Sequence, residues 1–255
     1  MSERDKSGPH QGRAVAKRPI EPMEALRGIR ILLGDPDDTG QVFRIIRALS
    51  GDAFERLFWR VVDDPVGRQV LERKRPLLDV LSDRAALKDC PEGSLGRAYL
   101  AFVEREQLTA DGLVDASNES PFDDAVFYDQ RARILGDRIR DMHDLWHVVT
   151  GYSRDLVGEG ALLAFTYAQT RNRGIGFIVA AGAMKLYKEG HGHAPKAMWQ
   201  GYLRGRRAGL LPAADWEALL ELPLDDVRRR LGIDDPPDYG EVYGGEAAEL
   251  HAEAA

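Results

Sequence analysis

Residues 130–151 read QRARILGDRIRDMHDLWHVVTG. Leu135, Ile139, Met142, Trp146 and Val149 are spaced four, three, four and three, which lays one apolar stripe along a helix. Gly151 supplies a natural stop. The spacing predicts a single central helix over 130–150 that packs against other helices. Downstream, ALLAFTYAQT (161–170) and GIGFIVAAGAMKLY (174–187) predict two more apolar helices. The second is rich in small residues (Gly176, Ala180, Ala181, Gly182, Ala183) suited to close packing. Helical units follow over 198–208, 216–220 and 224–231. Upstream, helical spacing recurs at Leu26, Ile29, Leu32 and Leu33, at Val42, Ile45, Ile46 and Leu49, and at Phe54, Leu57, Phe58 and Val61. Pro65, Pro76 and Pro91 punctuate shorter helices over 66–72, 77–81 and 94–107, and a polar loop spans 109–121. Alternation occurs only over 125–129, too short for a strand. The fold class is therefore all-α, a single-domain multi-helix bundle without repeats.

The chain has 255 residues, 35 basic and 42 acidic side chains, and a net charge of -7. Seven of the acids lie in residues 233–255, which hold no Lys or Arg, so the body is neutral. Three segments are expected: a solvated arm over 1–22, a helical domain over 23–232 and a solvating acidic tail over 233–255. A spanning helix needs about 20 apolar residues. The longest uncharged stretches of the apolar half, 160–170 and 174–184, have 11 each. A lone Cys90 excludes an internal disulfide and any zinc ribbon or iron–sulfur cluster held by this chain alone. The first residues have no apolar stretch typical of a secretory signal, and the basic clusters belong to no nucleic-acid reading module.

The chemistry concentrates in His143-Asp144-Leu145-Trp146-His147. Positions i and i+4 of a helix share a face, so two imidazoles there can converge on one metal ion. Relative to Ile139 on the stripe, His143 is turned by about 40° and His147 by about 80°. Both border the buried side. Asp144 is close enough to bind the metal or to orient a histidine. Glu159, twelve positions after His147, would be about 18 Å away along an unbroken helix. It reaches the pair only if the chain reverses near Gly151, which would place it at the start of the next helix. An acid directly before an apolar run is partly buried and requires a partner. Two histidines with one or two carboxylates suit zinc, iron or manganese. An HD-type phosphohydrolase would need an earlier histidine, and only His10 precedes the motif. A zinc peptidase with Asp144 as general base would place that base one methylene short.

The pattern H-D-x-x-H-x(11)-E, filled by His143, Asp144, His147 and Glu159, resembles the coenzyme Q biosynthesis family called Coq-four. HDLWHVVTGY, GEGALLAF, the Gly/Ala-rich helix, YLRGRRAGLL and PLDDVRRRLGI extend the likeness. It implies an all-helical protein holding one divalent metal, usually zinc, through those four residues. It further implies ubiquinone biosynthesis by oxidative decarboxylation of a prenylated hydroxybenzoate-type ring; the alternative is a non-catalytic lipid-binding scaffold for the biosynthetic enzymes. A peripheral membrane position, homodimerisation and partnership with those enzymes are implied as well. Arg predominates over Lys, as in GC-rich bacterial genomes, so the expected site is the cytoplasmic face of the inner membrane.

A prenyl tail needs an apolar channel, for which Phe165, Tyr167, Phe177, Ile178 and Met184 are candidates; each equally suits ordinary helix packing. Arg171 and Arg173 could meet an anionic head group, although a helix C-terminus attracts bases anyway. His191 and His193, in the loop EGHGHAPK, are extra-ligand candidates. Arg228, Arg229 and Arg230 form a solvated face or a contact with anionic lipid. Residues 160–232 carry 11 bases and 6 acids, which is where an anionic surface would dock.

Overall fold

Short polar side chains start many of the helices. Asp38, Asp64, Asp83, Ser94, Asp129, Asp155, Asn172 and Asp215 each accept a backbone N–H from the first turn they precede. The computed structural model describes residues 12–35, 38–107 and 126–243. Among these it forms α-helices and one 3₁₀ turn, and no strand. The helices are α1 (Pro22–Leu32), α2 (Thr39–Leu49), α3 (Ala53–Asp63), α4 (Pro65–Arg73), α5 (Leu77–Leu81), α6 (Arg84–Asp89) and α7 (Leu95–Arg105). After the segment outside the described residues come α8 (Gln130–Asp141), α9 (His143–Thr150), α10 (Leu156–Thr170), α11 (Arg173–Lys188), α12 (Ala194–Arg207), α13 (Trp216–Leu219) and α14 (Leu224–Leu231). The loop expected over 109–121 lies outside the described residues. The alternation at 125–129 reduces to one antiparallel bridge between Val15 and Phe127.

The central helix is divided. Met142 leaves helical geometry (φ -81°, ψ -2°), which separates α8 from α9, although Met142 N–H still reaches the Arg138 carbonyl and Trp146 N–H the Met142 carbonyl. The stripe survives the break: Leu135, Met142, Trp146 and Val149 are all buried. Leu135 packs with Phe58 and Ala132, whereas Met142, Trp146 and Val149 join Tyr99, Phe165 and Trp216 in the largest part of the core.

Helices α10 and α12 pack with their backbones nearly touching. A Cβ on Gly205 would lie 2.6 Å from the Phe165 carbonyl, and one on Gly201 would overlap that of Ala161. The small residues of α11 divide. A Cβ on Gly176 would lie 3.1 Å from the Tyr167 ring of α10, as close packing predicts, whereas one on Gly182 would meet nothing within 4 Å.

Both ends of the chain are better seated than their composition suggests. Ala14 and Val15 are buried against Phe54, Leu57 and Phe58, and their N–H groups are taken by the Glu55 carboxylate. The arm is therefore packed from residue 14, because it offers two small apolar side chains beside a fixed acceptor. Ile233 is buried, and residues 234–243 lie across the start of α10, so the described part of the tail is docked.

Candidate metal centre

The chain reverses between the two halves of the motif. Gly151 ends α9 in the left-handed conformation (φ +73°), and Asp155 caps α10 by accepting from Val157 and Gly158. Glu159 thereby falls in the first turn of α10, where the positive end of the helix dipole favours a carboxylate. His143 and His147 lie one turn apart on α9, with ring centroids 4.9 Å apart. One ligand-capable atom each from His143, Asp144 and His147 lies within 4.8 Å of the other two. Glu159 joins at the edge, its Oε1 3.3 Å from His147 Nε2 and 3.8 Å from Arg154 Nε. Spacing put His143, Asp144 and His147 on one helical turn and made Glu159 reachable only by a chain reversal; the reversal is present, and it brings Glu159 against His147.

The donor set fits a metal ion. His147 is buried, and its Nδ1 donates to the Tyr152 carbonyl at 2.8 Å, which leaves the Nε2 lone pair directed at the cluster. That Nε2 is buried and makes no hydrogen bond. Fixing the tautomer from behind is how ligating histidines are held. Phe102 stacks on the other side of the ring at 5.5 Å.

Charge in the cluster is mutually supported. Burial opposes ionisation of Glu159, yet in the metal-free chain His147 and His143, when they carry a proton, together with Arg154 outweigh it and bring its pKa down to about 2. Burial likewise opposes the charge on Asp144, but its contact with His143 (3.4 Å) wins and lowers the pKa. His143 is raised: burial disfavours its proton, and Asp144 and Glu159 more than compensate. The carboxylates are thus ionised, ready for a cation.

The cluster forms one end of a cavity of about 670 Å³. His143, Asp144, Glu159, Arg140, Asp141 and Arg154 supply its polar end. The remainder is mostly aliphatic, from Ile29, Leu32, Val42 and Ile46 on α1 and α2, Leu163 on α10, and Ile175, Ile178 and Val179 on α11.

Of the residues expected to line an apolar channel, Ile178 alone does so. Phe165 is fully buried against Trp146 in the core. Tyr167 stacks on Tyr202, and Met184 is exposed. Phe177 packs among the α1–α2 side chains without reaching the cavity wall. Arg171 donates to the Tyr202 hydroxyl, and Arg173 is exposed at the start of α11. His191 and His193 face each other at 6.2 Å, away from the cavity, with His193 bonded to the Gly240 carbonyl. Arg228 is no solvated side chain: it donates to the carbonyls of Val148 and Val149 and closes the end of α9. Arg229 and Arg230 are exposed. The lining residues that went unrecognised are spread over many helices, α1, α2, α3, α5, α10 and α11 among them, where an apolar stripe reads the same whether it meets a helix or a space.

Residues 27–237 match the family described as coenzyme Q (ubiquinone) biosynthesis protein Coq4. The chain belongs to that family. It is 32% identical over 193 residues to the ubiquinone biosynthesis protein coq4, mitochondrial, of Aspergillus flavus, covering 73% of this chain and 63% of that one. The Meyerozyma guilliermondii relative of the same description is 27% identical over 189 residues, covering 73% and 58%. The chain thus spans less than two thirds of the length of these Coq4 relatives. A crystal structure of a candidate ubiquinone biosynthesis protein from Nostoc punctiforme shares the fold, with a TM-score of 0.60 at 20% identity, covering 85% of this chain and all of that one. The Coq4 match ends at residue 237, inside the docked tail. Among the described residues, no helix is long and apolar enough to cross a membrane.

Proposed function

We propose that this protein acts in ubiquinone biosynthesis as a metal-dependent enzyme that decarboxylates and hydroxylates the ring of a prenylated hydroxybenzoate-type lipid. The observation that carries the reading is the placement of His143, Asp144 and Glu159 on the wall of a cavity lined mostly by apolar side chains, with His147 buried beside them in the same cluster. Such a cavity accepts a lipid tail while presenting its aromatic head to the ligands. A divalent ion bound there, zinc, iron or manganese, supplies Lewis acidity toward a ring carboxylate or phenolate.

The chain's own residues do the rest. His147 and His143 approach from α9, and Asp144 and Glu159 provide the negative charge that retains a cation. Arg154 and Arg140 add positive charge to the same end of the cavity, where an anionic head is drawn in and oriented. Leu163, Ile175 and Ile178 exclude water around the tail. In the reaction the ring carboxylate leaves as carbon dioxide and a hydroxyl whose oxygen comes from water takes its place, while dioxygen accepts the two electrons released and leaves as hydrogen peroxide. We extend the proposal to peripheral membrane association, supported by exposed Met184 and Tyr187 beside Lys185 and Lys188 on α11, and by exposed Trp199 on α12. Homodimerisation and contact with other ubiquinone biosynthesis enzymes belong to the same proposal, on family membership.

The test is incubation of the metal-loaded chain with a prenylated hydroxybenzoate and oxygen, with mass analysis of the product. The expected product has lost the carboxylate and gained a hydroxyl, and H147A, correctly folded, makes none. No product under zinc, iron or manganese, with the lipid bound, points instead to the scaffold role.

A further inference from the structure

Residues 234–243 leave the last helix and return across the connector between α9 and α10. Arg204 on α12 fastens the start of this strap, donating Nη2 to the carbonyls of Thr150 (3.0 Å), Asp234 (2.8 Å) and Asp235 (3.2 Å). Gly151 makes room for it: a Cβ there would lie 2.5 Å from Pro236. A Cβ on Gly158 would run into the Ser153 carbonyl as well as the Tyr239 hydroxyl, which lies 2.6 Å away. That hydroxyl accepts the Ser153 N–H at 3.0 Å and donates to Asp155 Oδ2 at 2.6 Å. Asp155 Oδ1 takes the Val242 N–H at 2.9 Å while it caps α10, and the Val242 carbonyl accepts from Leu156. The Tyr239 ring lies against Tyr152 at 5.5 Å.

These contacts meet at two groups directly behind the metal ligands. The Tyr152 carbonyl holds His147 Nδ1, and Asp155 anchors the helix turn that carries Glu159. We propose that the strap is a positioning element of the metal centre, with Tyr239 as its positioning residue, holding the 151–155 connector so that His147 and Glu159 converge on one ion. The inference rests on the metal reading above. It assigns a role in metal affinity to Tyr239, which lies beyond the end of the family match at residue 237.

The test is a Co²⁺ titration of the full-length metal-free chain, followed by the visible ligand-field absorption, alongside its thermal unfolding. Y239F deletes one oxygen and keeps the ring. Its Co²⁺ affinity should fall on the order of tenfold, as when an outer partner of a ligand is lost, and its absorption band should shift. A purely structural contact would lower the metal-free Tm and leave affinity and band as in the parent. D155N keeps an acceptor for the α10 cap while weakening the Tyr239 contact, and its affinity should fall less. If the parent binds Co²⁺ and Y239F matches it in affinity and band, the positioning role is overturned and the metal reading stands. If Y239F fails to fold, D155N decides on the same two readouts. A parent that binds no Co²⁺ removes both.

Discussion

Helix α10 shows two unlike faces. Toward α12 its backbone is in contact with Gly201 and Gly205, with no room for another methyl group. Toward α11, α1 and α2 it borders a cavity of about 670 Å³, and Gly182 on the opposite wall has nothing within 4 Å of where a Cβ would be. The same helix carries Glu159 on its first turn. One face fixes the ligand; the other leaves space for what the ligand's metal would act on. Rigidity and emptiness are adjacent because the site requires both.

The sharpest way to break this contrast is at the metal itself. Purified with zinc, the parent should hold about one equivalent, and H147A less than about a tenth, since a tetrahedral site rarely survives the loss of a ligand. Next in size is the packed face. G201A drives a methyl group into the Ala161 backbone and should cost about 1–3 kcal/mol, as overpacking does, read as a lowered Tm. The open face should respond in the opposite sense. G182A should be neutral or raise stability by about 0.5–1 kcal/mol, because alanine loses less backbone entropy in a helix than glycine. A filled cavity, as in I178W, should weaken binding of a prenylated ligand with the metal content unchanged.

The pH response follows from the same cluster. His143 holds its proton more tightly than a free histidine, so a metal must displace it. Metal affinity should fall about tenfold per pH unit as pH drops below that raised pKa, by one-proton mass action. In the metal-free chain the signs divide. Glu159, depressed to about 2, contributes stability that is present above the ordinary carboxylate pKa and is lost as pH falls toward 2. His143 contributes stability that is full at low pH and is lost as pH rises through its raised pKa. Denaturant midpoints taken across the range check both.

The two faces also differ in how readily the sequence disclosed them. His143, Asp144, His147 and Glu159 are polar residues set against an apolar stripe, and their spacing requires one helical turn and one reversal; both are present. The all-helical class followed from periodicity of the same kind. The break at Met142 left no trace, because its hydrogen bonds bridge the interruption and the apolar stripe continues through it. The cavity wall was illegible for a different reason. Phe165 and Ile178 both read as apolar positions on apolar helices, yet one is buried against Trp146 and the other faces the cavity. The tertiary placement of the neighbouring helices decides between them, α9 for Phe165 and α1 and α2 for Ile178. The strap was hidden by its charge: an acidic composition reads as solvated, whereas Asp234 and Asp235 bind Arg204 through their backbone carbonyls.

The most direct measurement is a crystal structure of the chain grown with Zn²⁺, using anomalous diffraction at the zinc edge. One peak should lie among His143, Asp144, His147 and Glu159, with metal–ligand distances of about 2.0–2.2 Å. A peak elsewhere, or none at full zinc loading of the solution, would contradict the metal centre on which the proposed function stands.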